Sequence, residues 1–355
     1  MIEYPVQRAQ TYRAKPDPNT LVFGKTFTDH MFLMNYTAGR SWHDGRIVPY
    51  GPLCLEPSAM VFHYAQEVFE GMKAYRNPEG GVQLFRPMEN VRRINSSCER
   101  MCIPQLPEEE ALAAIEQLVR LEQDWVPSAP GTSLYIRPFI IATTPSLGVH
   151  AAHDYLFCII CCPVGAYYAE GINPVRIYVE NEDVRAVRGG TGYTKCGGNY
   201  AASIRAGERA EEQGYAQVLW LDGVHRKYIE EVGSMNVLFK IDGKVITPAL
   251  TGSVLPGITR KSCLELLKSW GIPVEERLIT AEELFDAAES GKLEEAFGSG
   301  TAAVVSPIGE MGWGEKHVVV NGGKIGPLTQ KLYDTLTAIQ WGTQPDPFGW
   351  IVKLD

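Results

Sequence analysis

The sequence lacks a long apolar run, a basic cluster and a cysteine framework, and each absence removes a class of protein. Its longest apolar stretch, Tyr155 to Val164, is ten residues, about half of the roughly 20 that a membrane-spanning helix needs. The first twenty residues carry charges throughout and no apolar core of leader length, so no secretory signal is expected. The formal net charge is −9 and no run of basic residues longer than two appears, which argues against nucleic-acid and membrane partners. Small anionic substrates stay compatible, because a local positive pocket can sit inside an acidic protein.

Eight cysteines in 355 residues are too sparse for a disulfide scaffold. Cys158 and Cys161 form a C-x-x-C inside YLFCIICCPV, but strand alternation sends their side chains to opposite faces. Cys98 and Cys102 stand four apart on an expected helix, with no histidines to complete a metal set. The expectation is reduced core thiols in a cytoplasmic protein without metal. No internal repeat and no low-complexity tract is found.

What is present is ample core material: 45% of residues are hydrophobic and 21% charged. The length exceeds what one core usually organises, so two domains are expected. Residues before about Leu21 read as a loose polar arm. From Phe27 to Arg86 short strands alternate with turns, HDGR among them. A helix follows from about Met88 with Val91, Ile94 and Cys98 on one face. A second helix begins after Pro107, with Glu108, Glu109 and Glu110 favouring its dipole. SLYIRPFII and YLFCIICCPV are strands. GAYYAEGINP, 165–174, breaks the pattern and is the expected linker between a smaller domain, 1–164, and a C-terminal domain, 175–355. Beyond it come a strand VRIYVE, a glycine-rich segment, a helix from Tyr200 to Gln213, and the strands AQVLWLD and NVLFKID in one sheet. A helix ending at Gly271 and another over Ala281–Ser290 follow.

The segment GGTGYTKCGGNY, 189–200, places one lysine among five glycines. It is not a phosphate loop, since Thr194 precedes Lys195 and Cys196 follows it. A solvated lysine on a flexible loop is one reading. The other is a lysine in a dry pocket, whose lowered pKa makes it a nucleophile toward aldehydes. In LPGITRK, Gly257 precedes a helix start, so Ile258 and Thr259 either offer free N–H groups to a phosphate or form an ordinary helix end. FGSGTAAV is a second small-residue loop, where Ser299, Gly300 and Thr301 are candidate donors. Of Glu230 and Glu231, one is expected to be buried, where it would keep a pyridine nitrogen protonated. Of Arg92 and Arg93, one should face solvent while the other points inward.

These segments resemble the branched-chain amino-acid aminotransferases, fold type IV pyridoxal-phosphate enzymes. The likeness runs in order through LVFGKTFTDHM, VFEGMKAYR, SLYIRPFIIATTPSLGV, KCGGNYAAS, EEVGSMNV, LPGITR and FGSGTA, and looks closest to the larger, eukaryotic-like subgroup. It implies an α/β (α+β) fold of two domains with the cofactor in the cleft between them. Under it, Lys195 matches the Schiff-base lysine, Glu231 the acid on the pyridine nitrogen, and Tyr200 the phenol on the ring oxygen. Arg93, Ile258, Thr259 and Thr301 match the phosphate cradle. Phe23, Tyr64, Tyr135, Arg137, Leu147, Val149, Thr301 and Ala302 match positions around the substrate. Tyr64, Leu147 and Val149 would come from a neighbouring subunit, implying a homodimer. Two departures stand out: Ala303 and Ser306 occupy the places of a C-x-x-C pair in mammalian relatives, and Ser234 replaces the usual threonine.

The implied reaction is reversible, ping-pong transfer of an amino group from leucine, isoleucine or valine to 2-oxoglutarate. The rivals are a related fold type IV enzyme (a D-amino-acid or amine transaminase, or aminodeoxychorismate lyase) and a silent binding protein on the same scaffold.

Overall fold

The computed structural model describes residues 2–165 and 172–354. The expected linker at 165–174 falls largely on residues outside that range. The chain forms two compact units, the first comprising Met1–Tyr167, Thr194–Gly197 and Ala338–Asp355, the second Tyr168–Tyr193 and Gly198–Thr337.

In the first unit, β1 (His30–Thr37), β2 (Ser41–Pro49), β3 (Glu67–Phe69), β4 (Met72–Arg76), β5 (Val82–Phe85), β6 (Ser133–Ala142) and β7 (Asp154–Val164) form an antiparallel sheet in the order β5-β4-β6-β7-β1-β2, with β3 also paired to β6. Helices α1 (Met60–Tyr64), α2 (Pro87–Arg100) and α3 (Glu108–Leu121) belong to it. Pro87 at N1 of α2 needs no backbone partner there. The predicted face of Val91, Ile94 and Cys98 is buried, with Ile115 and Leu118 of α3, in one core with Phe32, Ile136 and Phe157. Each such side chain contributes about 1.5–3 kcal/mol on burial. Cys161 lies in this core while Cys158 lies in a separate cluster with Met31 and Leu33, as strand alternation requires.

Two local expectations fail together. The N-terminal arm is docked, not loose: Gln7 N and Ile47 N donate to Ile47 O and Pro5 O, and Ala9 N donates to His30 Nε2 at 2.9 Å. The turn joining β1 to β2 lies at residues 38–40, while HDGR sits inside β2 at a register shift. There Asp44 has φ 54°, and a Cβ on Gly45 would collide with the ring of Tyr4. Turn-forming residues thus make a bulge that admits the arm. Helix α1 also lies where only strands were expected.

The second unit contains β8 (Val175–Val179), β9 (Gln217–Leu221), β10 (Ile229–Val232), β11 (Asn236–Ile241), β12 (Lys244–Pro248), β13 (Val274–Arg277), β14 (Leu293–Gly300), β15 (Val304–Trp313) and β16 (Lys316–Val319). Their order is β10-β9-β8-β15-β14-β11-β12-β13, with β16 on β15. The expected helix over 200–213 is two helices, α4 (Gly197–Ala201) and α5 (Ile204–Glu212). Ser203 Oγ donates to the Tyr200 carbonyl at 2.7 Å, a local bond that competes with the helical ladder at the break. Helix α6 (Ile258–Ser269) ends before Gly271, whose φ is 71°. Helix α7 (Ala281–Glu289) is capped by Thr280. After α8 (Pro327–Gln340), β17 (Ile351–Lys353) pairs with β5. Composition gave no sign that residues 338–355 group with the first unit.

Candidate active site

Lys195 is stitched to its surroundings within the first unit. Phe69 N donates to Lys195 O at 2.9 Å, Lys195 N donates to Ser97 Oγ at 3.0 Å, and Gly197 N donates to Glu67 Oε1. These bonds answer the flexible-loop reading. The side chain keeps some accessible surface, yet its amine stands 4.8 Å from the centre of the Phe69 ring and is crowded by protein. Burial, helped by Arg93 and Arg137 and opposed by Glu70 and Tyr135, lowers its pKa to about 8.

Arg93 is buried on α2, while the side chain of Arg92 stays 60% exposed, so the inward member of the pair is settled. The Arg93 guanidinium holds Glu70 from two nitrogens, Nε to Oε1 at 2.6 Å and Nη2 to Oε2 at 2.9 Å. Glu70 sits opposite Pro138 in the register that β3 and β4 share along β6. Proline has no N–H to return, so the ladder weakens there. The Glu70 carboxylate also accepts from Asn90 Nδ2 at 2.7 Å and from Gly71 N at 3.0 Å. Burial alone would push this acid up, but Arg93, with Lys195 and Asn90, holds it below the ordinary carboxylate range.

Tyr135 and Arg137 lie two apart on β6. The Arg137 guanidinium stacks 4.7 Å from the Phe69 ring and 5.3 Å from the Tyr135 ring. Its Nη2 donates to Tyr135 Oη at 3.1 Å, and its Nε is buried without a hydrogen-bond partner among the described residues. Phe23 meets Tyr135 edge-on, with ring centres 4.9 Å apart. Gly71 gives the Tyr135 hydroxyl its room, since a Cβ there would collide with it.

Tyr64 and Leu147 are joined in this unit, and Val149 follows two residues after Leu147. The Tyr64 hydroxyl donates to Leu147 O, while Met60 N and Ser146 N donate to Thr144 O and Ser58 O. Leu147 is 68% and Val149 83% exposed, with Phe62 at 62% beside Tyr64 in α1.

In the second unit both Glu230 and Glu231 are buried, a correction to the expectation of one. All four residues of β10 are enclosed, and each acid has found partners. Glu231 Oε1 accepts from Leu255 N at 2.7 Å, and Oε2 stands 3.2 Å from Arg185 Nε. Glu230 accepts from Ser253 Oγ. Burial raises the Glu230 pKa, Ser253 and Arg185 oppose it, and Glu231 and Asp222 add to it.

The start of α6 has features that favour an anion at a helix N-terminus. Gly257 is the N-cap, no side chain caps the helix, and no acid occupies its first turn. Ile258 and Thr259 are buried there. A Cβ on Gly257 would collide with Asn236 Oδ1, and Asn236 Nδ2 donates to Leu255 O at 2.9 Å. Across the sheet Asn236 pairs with Ser299, whose Oγ is buried without a hydrogen-bond partner among the described residues. Thr301 and Ala302 lie in the turn between the paired residues Gly300 and Val304. Tyr200 is carried by α4, which Asn199 ties to Thr191 through a bond to its carbonyl at 2.9 Å.

Several residues of these groups went unnamed in the sequence reading, Phe69, Glu70 and Arg185 foremost. Phe69 and Glu70 lie inside VFEGMKAYR, where a lone carboxylate in an apolar strand was the signal. Arg185 gave none.

The family model described as amino-transferase class IV matches residues 67–311. Over 349 residues the chain is 56% identical to branched-chain-amino-acid aminotransferase 2 of Bacillus subtilis (strain 168), covering 98% of this chain and 96% of that one. It is 54% identical over 350 residues to the probable branched-chain-amino-acid aminotransferase of Staphylococcus aureus (strain N315), with 98% of each covered. Among solved structures, the Escherichia coli branched-chain amino acid aminotransferase aligns with a TM-score of 0.75 at 26% identity, over 92% of this chain and 99% of that one. A T.th. branched-chain amino acid aminotransferase solved with pyridoxamine 5'-phosphate aligns with a TM-score of 0.75 at 26% identity, over 91% and 98%.

Proposed function

This chain belongs to the class IV amino-transferases, among the branched-chain amino-acid aminotransferases, and from that premise we propose that it moves the amino group of leucine, isoleucine or valine reversibly to 2-oxoglutarate. The observation that carries the reading is the Lys195 amine, enclosed against Phe69 with its pKa lowered to about 8. About a tenth of such amines are neutral at pH 7, against well under a thousandth of ordinary lysines.

The cofactor is pyridoxal phosphate, and the residues fit it. The uncapped, acid-free start of α6 suits a phosphate, and the unpartnered Ser299 Oγ suits an added polar group. When bound, the cofactor supplies the electron sink that lets an amino acid release its α-proton. In this proposal Lys195 Nζ would hold the cofactor until an incoming amino acid displaces it, and the freed amine would then carry the proton from the substrate's α-carbon. Glu231 would keep the ring nitrogen protonated, and Tyr200 would donate to the ring oxygen. Arg93, Thr301 and the N–H groups of Ile258 and Thr259 would hold the phosphate.

Around the substrate, Phe23 and Tyr135 would supply an apolar wall for a branched side chain, with Thr301 and Ala302 at further positions around it. Arg137, set on two rings, would receive the second carboxylate of glutamate, which an apolar wall alone would reject. Tyr64, Leu147 and Val149 would be lent to a partner subunit's site in a homodimer, and their exposed side chains support that. Among the described residues no helix is long and apolar enough to cross a membrane. Eight free cysteines, six of them buried, support a reducing, cytoplasmic setting.

The test is a visible absorption scan of the purified protein followed by a panel of amino donors with 2-oxoglutarate. A cofactor band with preference for branched-chain L-amino acids is expected. Preference for a D-amino acid or a plain amine, or no transfer at all, would reject the reading.

A further inference from the structure

We propose that Arg185 is a positioning residue that clamps Glu231 as an aimed anion, and through it sets the proton on the cofactor's ring nitrogen. The inference rests on the reading of Glu231 as that nitrogen's partner.

Arg185 and Glu231 are both deeply enclosed, with side chains 7% and 4% exposed. The guanidinium joins three segments of the second unit. Its Nη2 donates to Gly192 O at 3.1 Å and to Ser253 O, and its Nε faces Glu231 Oε2 at 3.2 Å. That last N–H is not aligned for a hydrogen bond, so charge carries the contact. Gly192 is packed so closely that a Cβ would collide with Ser253 O and Ala186 Cβ, which fixes both loops over the guanidinium. Leu255 N holds the other oxygen, Oε1. The carboxylate is therefore gripped at one oxygen by a cation and at the other by an N–H.

The local charge explains why such a grip is needed. Glu230 and Glu231 are adjacent and buried, and Asp222 acts on Glu230 from the neighbouring strand's end. Two such carboxylates do not both stay ionised without a cation. Glu230 takes the Ser253 hydroxyl on one oxygen and has its other, Oε2, buried without a hydrogen-bond partner among the described residues. Burial raises the Glu230 pKa although Ser253 and Arg185 oppose it, and it is Glu231 that Arg185 meets at ion-pair distance. Without the charge of Arg185, a proton shared between Glu231 and a pyridine nitrogen moves to the carboxyl group.

The alternative is that Arg185 only staples the two loops. Holoenzyme loaded with pyridoxal phosphate carrying ¹⁵N in its ring separates the two. The nitrogen chemical shift is read at pH 7.5 in wild type, Arg185→Gln, Arg185→Lys, Glu231→Gln and the Arg185→Gln/Glu231→Gln pair. The wild-type signal should be that of a protonated ring and Glu231→Gln that of an unprotonated one. Arg185→Gln should move at least half of that distance, Arg185→Lys should stay near wild type, and the pair should match Glu231→Gln. An unmoved Arg185→Gln beside a moved Glu231→Gln overturns the role of Arg185 alone. An unmoved Glu231→Gln overturns the reading of Glu231 itself. Should Arg185→Gln not retain cofactor, the ring-nitrogen signal of Arg185→Lys is followed with rising pH: a ring that loses its proton at a lower pH than in wild type, as the lysine loses its charge, supports the clamp, and a ring that keeps it to the wild-type pH leaves only the staple.

Discussion

Lys195 and Glu231 are both held among charges of their own sign, but the two neighbourhoods treat that crowding differently. Near Lys195 stand Arg93 and Arg137, and burial with these cations lowers the amine's pKa to about 8. Glu70, the acid that works the other way, is itself engaged by Arg93 through two hydrogen bonds. Beside Glu231 stands the buried Glu230, which Asp222 crowds in turn, yet Arg185 and the Leu255 N–H meet the two oxygens of Glu231. The amine is left short of compensation and the carboxylate is given it. A nucleophile must spend time neutral, whereas a group that keeps a ring nitrogen protonated must stay charged. Each neighbourhood is set by partners distant in sequence, which is where function is written in this chain.

The bluntest way to break the comparison is Lys195→Ala. Amino transfer should fall by on the order of 10⁴-fold or more, with the circular dichroism of the fold largely kept. Near-normal turnover in a steady-state assay would remove Lys195 from the mechanism. Glu231→Gln should be the next largest. The cofactor should stay bound, while single-turnover proton transfer slows by about 10²–10³-fold, since an amide cannot hold the nitrogen's proton. If Glu230→Gln proved the damaging change instead, the roles assigned along β10 would be exchanged.

Arg137→Met sharpens the comparison, because this cation is given a second task beyond lowering the Lys195 pKa. A carboxylate left unpaired in an enclosed site costs about 2–5 kcal/mol, so kcat/KM for 2-oxoglutarate should drop about 30- to 5000-fold. The leucine half-reaction, which brings no second carboxylate, should change by less than about tenfold by the same reasoning. Equal losses in the two half-reactions would reject dual recognition.

Much of this was legible where the cause is local. The acidic first turn of α3, the Thr280 cap of α7 and the glycine after α6 are short-range devices, and the strands around Tyr135 and Cys158 show their pattern in composition. The misread places depend on contacts far along the chain. HDGR becomes a bulge because Tyr4 needs the space over Gly45. The arm docks because His30 and Ile47 offer it partners. Residues 351–353 pair with β5, more than 260 positions earlier. In the site, Lys195, Arg93 and Glu231 came from resemblance and spacing. Their supports, Glu70 and Arg185, are ordinary charged residues until partners 23 and 46 positions away are brought to them.

The smallest expected effect is a displacement along the pH axis in the cofactor-free protein. Only the neutral amine captures an aldehyde, and it forms above its pKa. The rate at which the apo-protein takes up pyridoxal phosphate should therefore climb through about pH 8 and level off above it, well short of the ordinary lysine value of 10.5. Arg137→Met removes one of the cations that lower this pKa, so the midpoint should move upward. Stability gives an independent reading with a defined sign. In the folded state the proton is held less tightly than in the unfolded chain, so between pH 8 and 10.5 the unfolded state binds more protons and stability rises with pH. Below pH 8 both states are protonated and the full penalty of the crowded charge remains. Apo Lys195→Met should accordingly be more stable than wild type in urea at pH 7, with the gap closing as pH approaches 10.5. A gap that is absent at pH 7, or that widens with pH, would show that the Lys195 amine is not held among uncompensated cations.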